Sequence, residues 1–281
     1  MEQPLEFTKM HGLGNDFILI DNWSGQAAHP AALAKALCQR RLSAGADGLI
    51  LAEPSEKADA KMHFFNADGS EAEMCGNGIR CFARFLHDQG LVRGEHMRIE
   101  TLAGIMQPEL VLRQGEVVGV KVDMGLPEFV PEKVPTRGTG WGDALGAEGE
   151  QLLVYSLRMG VPHAVILVQE AEDPKWMRIG AQIEANTALF PERINVNFVQ
   201  LAGEDTAIIR TYERGAGPTL ACGTGACAAA AVLHKLGLTG RRVRICPAPG
   251  ELLIELTPSA VFMQGPAEYV YRAQWLGSMP D

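Results

Sequence analysis

One motif occurs twice in this sequence, and its register constrains the fold more than any other feature. A Cys-Gly-x-Gly motif begins at Cys75 and again at Cys222, 147 residues later. The segments that follow, CGNGIRCFARFLHDQGL and CGTGACAAAAVLHKLGL, align without a gap and share Ala, Leu, His and Gly positions beyond the motif. A fixed offset over such a length indicates an internal repeat. The chain is therefore expected to contain two copies of one structural unit.

Each copy of the repeat predicts a strand, a turn and a helix. Residues 61–74 and 208–221 each contain a short apolar-alternating run followed by a Gly-containing turn. After each motif, apolar residues recur with the helical period, and Gly90 and Gly237 stand where a helix ends. Further strands are predicted at residues 17–21, 48–53, 116–124, 164–168 and 243–248. Strands should therefore outnumber helices in each half.

A segment rich in Pro and Gly separates the two copies. Residues 129–151 show neither the helical nor the strand period, so we predict a linker or long surface loop. This gives an N-terminal domain of residues 1–128 that carries Cys75 and a C-terminal domain of residues 152–264 that carries Cys222. Similar halves commonly pack about a pseudo-twofold axis, and ligands favour such interfaces. We therefore expect the two cysteines to face each other across one cleft.

Composition and charge exclude several classes of protein. The net charge of -9 opposes binding to a polyanion such as nucleic acid. No stretch approaches the roughly 18 apolar residues of a membrane span, and the start lacks the pattern of a signal peptide. Six cysteines in such a chain are expected to be thiols, and their spacing does not match a zinc site. These features predict a cytoplasmic enzyme with no metal, nucleic-acid or membrane partner.

The predicted position of Cys75 and Cys222 at helix starts favours reactivity. The unpaired N–H groups and the dipole of a helix N-terminus stabilise a thiolate. Glycines directly after each cysteine allow close approach of an anion such as an α-carboxylate. The residues expected to bind that anion are Gly76, Asn77, Gly223 and Thr224. The other four cysteines lack this context, and we interpret them as packing residues.

Two thiols of this kind suit inversion of a stereocentre. Inversion through a planar carbanion needs a base on one face and an acid on the other. We assign Cys75 as the proton donor and Cys222 as the proton acceptor, and the roles exchange in the reverse reaction. The residues alone leave open which thiol acts in which direction. No cofactor is required.

The chain resembles the diaminopimelate epimerase family over nearly its whole length. The resemblance lies in HGLGNDF (11–17), FNADGSEAEMCGNGIRCFAR (65–84), GVPHAV (160–165), RINVNF (193–198) and YERGAGPTLACGTGACA (212–228). It implies a PLP-independent isomerase that interconverts LL- and meso-2,6-diaminopimelate for lysine and peptidoglycan synthesis. It also implies an α+β fold of two pseudo-symmetric domains. Each would be an antiparallel, barrel-like sheet around a central helix, with the active site in the cleft between them.

The resemblance also implies roles for individual residues. The implied substrate contacts outside the helix starts are Asn15, Asn66, Asn195, Glu213 and Arg214. His163 and Glu213 are implied to tune the protonation of the thiols. Tyr271 matches a position at the contact of a homodimer, and residues 265–281 would form a strand that returns to the first domain.

Three positions depart from the family pattern. Val161 replaces an Asn before Pro-His, Gly48 stands where many members have Gln, and Pro218 replaces a usual Glu. The loss at Val161 is the most serious, because each hydrogen bond lost to a buried group costs roughly 1–3 kcal/mol. Either neighbouring groups compensate or the preferred substrate differs.

Other functions remain open on the sequence. A sibling activity is a two-cysteine racemase of another amino acid, such as proline, hydroxyproline or histidine. A thiol redox or metal-binding protein would also explain paired cysteines. A catalytically silent binding protein on the same fold is the third alternative.

Overall fold

The chain is described by a computed structural model that covers residues 5–277, and it divides into two compact units. The first unit combines the chain up to Val122 with the C-terminal segment from Gly265, and the second runs from Asp123 to Gln264. Each unit contains mixed β-structure and two α-helices. The predicted α+β class is confirmed.

The first unit contains a seven-stranded sheet and the β7–β8 hairpin. Its sheet follows the order β18-β1-β2-β3-β4-β5-β6, and β7 pairs with β8. The elements are β1 (Leu5–Gly12), β2 (Asn15–Asp21), α1 (Pro30–Leu37), β3 (Gly48–Glu53), β4 (Ala60–Asn66), α2 (Gly76–Asp88), β5 (Ile99–Thr101), β6 (Gly104–Met106), β7 (Glu109–Arg113), β8 (Glu116–Asp123) and β18 (Glu268–Trp275).

The second unit repeats this plan. Its strands follow the order β9-β10-β11-β12-β13-β15-β16-β17, and β14 pairs with β13. The elements are a 3-10 helix (Pro131–Lys133), β9 (Trp141–Ala147), β10 (Glu150–Met159), β11 (Val161–Leu167), α3 (Lys175–Glu184), β12 (Asn195–Gly203), β13 (Thr206–Glu213), β14 (Gly217–Thr219), α4 (Gly223–Lys235), β15 (Arg242–Cys246), β16 (Leu252–Leu256) and β17 (Val261–Gly265).

The duplication seen in the sequence extends to the topology. The run β1-β2-α1-β3-β4-α2-β5-β6 corresponds to β10-β11-α3-β12-β13-α4-β15-β16, and the short strand β14 between β13 and α4 is an addition in the second unit. The C-terminal strand β18 pairs antiparallel with β1, as β9 pairs antiparallel with β10. The predicted helix ends are also kept, because Gly90 and Gly237 adopt φ of 69° and 73°, the left-handed region that glycine favours.

The central helix of each unit packs against its own sheet. Helix α2 contacts β1, β2 and β3 through an apolar face that includes Ile79, Phe82 and Leu86, all fully buried. Helix α4 contacts β10, β11, β12 and β13, and its alanine run is buried. Small alanine side chains allow the helix backbone to approach the sheet closely. The helix starts, which carry Cys75 and Cys222, are held in place by this packing.

Two local features differ from the sequence expectation. The sheets are not antiparallel throughout, because β2–β3, β4–β5, β11–β12 and β13–β15 pair in parallel. A helix lies between the partners of each of these pairs, and such a crossover returns the chain in its original direction. Residues 129–151, expected as a linker, contain the 3-10 helix and strand β9. This edge strand has no fully buried face, so it lacks the alternation that marks a strand in sequence.

Candidate active site

Cys75 is the N-cap of α2 in the first unit. Its backbone is extended, with φ -137° and ψ 124°, and Ile79 N–H donates to its carbonyl to close the first turn. The N–H groups of Gly76, Asn77 and Gly78, which lie between Cys75 and Ile79, therefore have no acceptor within the helix. The Cys75 thiol donates to Asn15 Oδ1 at 3.4 Å. Since an amide oxygen can only accept, this contact stabilises the protonated thiol.

The amide of Asn15 is oriented by a carboxylate. Its Nδ2 donates to Asp47 Oδ2 at 2.7 Å, which leaves Oδ1 turned toward Cys75. Asp47 in turn accepts a hydrogen bond from Arg40 at 2.8 Å. Asp47 therefore fixes the orientation of the Asn15 amide, with the oxygen Oδ1 facing the Cys75 thiol. Asp47 was not singled out by the sequence, although it precedes Gly48 in the GADG segment.

A second amide reinforces this arrangement. Asn77 Nδ2 donates to Asn15 Oδ1 at 3.2 Å, and Asn77 Oδ1 accepts from Arg80 Nη2 at 2.9 Å. Arg80 is fully buried and also donates to the Gly76 carbonyl at 3.0 Å. The side chain of Asn77 is thus committed to the protein, and its backbone N–H remains the group suited to an anion. Arg80 is a further residue that sequence reasoning missed.

Cys222 is the N-cap of α4 in the second unit and has a different hydrogen-bonding pattern. Its backbone is again extended, with φ -119° and ψ 113°. Gly225 N–H donates to its Sγ at 3.4 Å, and Thr224 Oγ1 lies 3.4 Å from the same atom. A sulfur that accepts from a helix-start N–H is stabilised as the thiolate. The two duplicated cysteines therefore have different surroundings: the Cys75 thiol faces an amide oxygen, whereas Cys222 Sγ faces an N–H group of its own helix.

Glu213 lies beside Cys222. Burial raises the pKa of its carboxyl, and hydrogen bonds from Thr219 and from the Cys222 thiol partly oppose this rise. Thr219 Oγ1 donates to Oε1 at 2.6 Å and holds the carboxyl in position. A carboxylate with a raised pKa is closer to a thiol in proton affinity, so it can accept the thiol proton more readily.

Asn195 and Arg214 are linked by one hydrogen bond. Asn195 is buried, its Nδ2 donates to the Pro162 carbonyl at 3.1 Å, and its Oδ1 accepts from Arg214 N–H at 2.9 Å. The Arg214 guanidinium donates to the Glu192 carbonyl at 2.9 Å. These contacts place Asn195 as a support for the chain segment before Cys222, with one amide hydrogen and one oxygen lone pair not used by the bonds described.

His163 lies fully buried on β11. Burial, with a smaller contribution from the positive charge of Arg214, lowers the pKa of its imidazole to about 3, so the ring is neutral at physiological pH. Its Nδ1 lies 3.1 Å from Asn197 Nδ2. Asn197 follows Asn195 by two residues on β12, so the two side chains lie on one face of the strand. This period-2 spacing is the signal that could have identified Asn197 from sequence.

The remaining predicted residues lie within their own units. Asn66 ends β4 and donates to Ser70 Oγ at 3.0 Å. Tyr271 is half exposed on β18 and packs edge-on against Phe7 with ring centroids 6.1 Å apart. Cys38 and Cys81 fit their interpretation as packing residues, because burial raises the pKa of both thiols to about 12.

The structure explains one departure from the family pattern. A Cβ on Gly48 would lie 2.7 Å from the Phe65 carbonyl oxygen and equally close to the Phe64 ring, so no side chain fits there without movement of the neighbouring strand. Val161 is half-buried at the start of β11, and Pro218 is exposed in β14. None of the contacts described above passes through the side chain of Val161 or Pro218.

Residues 5–277 show neither a metal-binding cluster nor a membrane-spanning helix. No group of three or more His, Cys, Asp or Glu side chains in this range is arranged to hold a metal ion. None of the helices in the same range combines the length and apolar character of a membrane span.

Comparison with solved structures establishes the fold. A PhzF-family phenazine biosynthesis protein from Bacillus anthracis has a TM-score of 0.72 at 16% identity, over 98% of this chain and 100% of that one. A hydroxyproline epimerase from Agrobacterium vitis, with bound trans-4-hydroxy-L-proline, has a TM-score of 0.69 at 17% identity, over 98% and 93%. At these identities the likeness concerns the fold alone.

Comparison with sequences establishes the family. The diaminopimelate epimerase model matches residues 7–130 and 155–270. The diaminopimelate epimerase of Moorella thermoacetica is 45% identical over 96% of this chain and 99% of its own length. That of Archaeoglobus fulgidus is 44% identical over 95% of both chains. The chain belongs to the diaminopimelate epimerase family.

Proposed function

We propose that this protein is a cofactor-independent epimerase that interconverts LL- and meso-2,6-diaminopimelate by a two-base thiol mechanism. The observation that carries the proposal is the position of the duplicated cysteines, each the N-cap of the central helix of its unit and each in different surroundings. The Cys75 thiol donates to Asn15 Oδ1, whereas Cys222 Sγ accepts from Gly225 N–H. The Cys222 thiol also donates to the Glu213 carboxyl, which can take its proton, whereas the amide oxygen of Asn15 cannot take the proton of Cys75. Cys222 is therefore suited to act as the base and Cys75 as the acid. Membership of the family supports the choice of substrate.

The chemical step uses one proton on each face of the α-carbon. The Cys222 thiolate removes the α-proton and becomes a thiol, while the electron pair of the C–H bond delocalises into the carboxylate. The Cys75 thiol then delivers its proton to the opposite face and becomes a thiolate. The reverse reaction exchanges the roles. Proton abstraction from an amino acid is difficult because the carbanion is poorly stabilised. N–H groups of Gly76, Asn77, Gly223 and Thr224 would bind the carboxylate where this charge develops.

Polar side chains would hold and prepare this machinery. Arg214 is suited to a substrate carboxylate and Glu213 to an ammonium group, and Asn15, Asn66 and Asn195 can each donate and accept. Glu213, whose carboxyl is positioned by Thr219 beside Cys222, would also accept the thiol proton and so raise the thiolate fraction. His163 would influence the protonation of the thiols as a neutral imidazole.

We further propose that the protein acts as a cytoplasmic homodimer. Support comes from strand β18, which is the edge of the first unit's sheet and presents Val270 and Tyr271 half exposed. An exposed apolar edge strand commonly pairs with another chain. Sedimentation of the protein and of Tyr271→Ala tests this, and a monomeric unmutated protein would contradict it.

The substrate assignment is tested by deuterium exchange at the α-carbon. The protein in D2O is given LL-diaminopimelate, meso-diaminopimelate, proline, hydroxyproline and histidine in parallel. The expected result is exchange and interconversion of the two diaminopimelate isomers without exchange of the others. If only a monoamino acid exchanges, the protein is a racemase of that amino acid on this fold. If nothing exchanges in reduced protein, the two-base proposal is wrong.

A further inference from the structure

The second unit contains a buried polar network around His163, and two of its members, Asn197 and Thr211, have no role in the proposed mechanism. Asn197 and His163 are fully buried, and Thr211 is 4% exposed. Asn197 Nδ2 lies 3.1 Å from both His163 Nδ1 and the Ala164 carbonyl oxygen, and Asn197 Oδ1 accepts from Thr211 Oγ1 at 3.1 Å. All the hydrogen-bonding capacity of the Asn197 amide that these three contacts use is directed at buried groups, so the orientation of the amide is fixed.

The orientation of the Asn197 amide follows from two of its partners. The Ala164 carbonyl can only accept a hydrogen bond, so the atom that faces it must be the nitrogen. The oxygen is then the atom left to accept from the Thr211 hydroxyl. Because the amide nitrogen can only donate, His163 Nδ1 must be the acceptor, and the ring proton must reside on Nε2.

The opposite end of the imidazole is a donor that lacks an acceptor. His163 Nε2 is buried and has no hydrogen-bond partner among residues 5–277. A buried N–H without a partner is rare in folded proteins and calls for an explanation, and an acceptor supplied by a bound ligand is one that fits a candidate active site. The charged group that acts on the ring is Arg214, and its positive charge further disfavours an imidazolium. His163 is paired in register with Asn195, and the Asn195 side chain accepts a hydrogen bond from Arg214 N–H. A neutral N–H donor in the same region as an arginine is suited to a carboxylate.

We propose that Asn197 is a positioning residue that fixes His163 as its Nε2–H tautomer, so that His163 donates to a carboxylate of the bound substrate and does not itself transfer protons. This inference rests on the proposed function for the identity of the substrate. The tautomer itself does not depend on which amino acid binds. In this proposal His163 binds and orients the substrate, and Asn197 fixes the tautomer of His163 without contacting the substrate.

Asn197 also accounts for a glycine at the start of α4. A Cβ on Gly225 would overlap Asn197 Oδ1. Gly225 is the residue whose N–H donates to Cys222 Sγ. Asn197 therefore has two effects. It fixes the tautomer of His163, and it leaves room only for a glycine at position 225, whose N–H stabilises the Cys222 thiolate.

The tautomer is measured in the unmutated protein by long-range 1H–15N correlation spectra of the histidine rings. The chain has seven histidines, and His163 is identified as the signal that disappears in His163→Gln. The expected pattern is the Nε2–H tautomer, unchanged across neutral pH, with a shift of the Nε2 proton when diaminopimelate binds. An Nδ1–H ring or an imidazolium at neutral pH would overturn the proposal. A tautomer as expected with an unmoved Nε2 proton in the presence of substrate would overturn the carboxylate contact.

The positioning role is tested by Asn197→Asp with Thr211→Val as the matched control. Aspartate keeps the shape and still accepts from Thr211, but it cannot donate to His163 Nδ1 and so moves the ring proton to that atom. We expect KM to rise about tenfold to a hundredfold, the effect of losing one hydrogen bond to a charged group, with a smaller change in kcat. Thr211→Val loses one bond of the same network but keeps the tautomer, and its KM should change by less than about threefold.

Two outcomes of these variants would contradict the proposal. Equal losses in Asn197→Asp and Thr211→Val would show that the network acts only through stability, and the proposal would fail. His163→Gln, whose amide nitrogen can donate from the position of Nε2, should recover more activity than His163→Ala, and the reverse order would contradict the donor role. If Asn197→Asp does not fold, the tautomer spectrum of the unmutated protein still decides. That spectrum needs no activity, so it also separates this inference from the proposed function.

Discussion

Substitution by alanine should destabilise the protein at one of the duplicated glycines at the third position of α2 and α4 but not at the other. Alanine in place of glycine in a helix gains up to about 1 kcal/mol. At Gly225 the new Cβ would overlap Asn197 Oδ1 and lie 3.3 Å from Cys222 Cβ, and overpacking of this kind costs about 1–3 kcal/mol. Moving the Asn197 amide also weakens one of its hydrogen bonds, at about 1 kcal/mol. Gly225→Ala should therefore lower the free energy of unfolding by about 1–3 kcal/mol.

Gly78→Ala is the matched control supplied by the internal repeat. Its Cβ would lie 3.2 Å from Met62 Cε and 3.3 Å from Ile50 Cδ1, which are the tips of flexible side chains. These can move by a few tenths of an ångström at little cost, so the loss should be offset by the gain in helix propensity. We expect the free energy of unfolding to stay within about 1 kcal/mol of the unmutated protein.

Thermal unfolding measures the difference. One kcal/mol corresponds to about 2–4 °C in Tm for 150–250 residues, so Gly225→Ala should melt clearly earlier than Gly78→Ala. In an Asn197→Ala background the overlapping atom is gone, and Gly225→Ala should no longer destabilise. Two results would refute the overlap with Asn197 as the cause. One is an equal Tm for Gly225→Ala and Gly78→Ala, and the other is an unchanged destabilisation by Gly225→Ala in the Asn197→Ala background.

Three further predictions concern protonation. Glu213→Gln should lower kcat about a hundredfold and slow the alkylation of Cys222 by iodoacetamide, because an amide cannot accept the thiol proton; unchanged alkylation would contradict this. Because the pKa of His163 is lowered to about 3, the unfolded chain binds a proton that the folded ring does not. Stability should therefore fall with a slope of up to about 1.4 kcal/mol per pH unit as pH decreases from about 6.5 toward 3, and His163→Gln should lose that slope. Burial raises the pKa of Asp16, but hydrogen bonds from Arg40 and Lys9 outweigh it and lower the value to about 2. The stabilisation is present above the ordinary value of 3.8 and is lost as pH falls toward 2, so Asp16→Asn should unfold with a weaker acid dependence, and an identical dependence would contradict the assignment.

The parts of the fold that local patterns dictate could be predicted. The fixed offset between Cys75 and Cys222 predicted two copies of a strand, turn and helix unit, and both helices begin at these cysteines. Gly90 and Gly237 were predicted as helix ends because glycine adopts positive φ without strain, and both do so. The start and the end of a helix depend on a few adjacent residues, so they can be predicted without knowledge of the tertiary structure.

Contacts between distant residues could not be predicted. Asp47 orients Asn15 across 32 positions of sequence, and Asn197 meets His163 across 34. These bonds depend on strand pairing, which the sequence does not specify in register. Strand β9 was missed because an edge strand with no fully buried face has no alternation to detect. Gly48, noted only as a departure from the family, is required by the closeness of Phe64 and Phe65.

The two-base assignment is tested most directly by exchange in single-cysteine variants. In a two-base mechanism, the Cys75→Ala variant keeps Cys222 on one face of the α-carbon, and the Cys222→Ala variant keeps Cys75 on the opposite face. Each variant should lose interconversion of LL- and meso-diaminopimelate but still exchange the α-hydrogen of one isomer for deuterium with retention, and the two variants should act on opposite isomers. Interconversion by either variant near the unmutated rate, or exchange of the same isomer by both, would contradict the assignment of one thiol to each face.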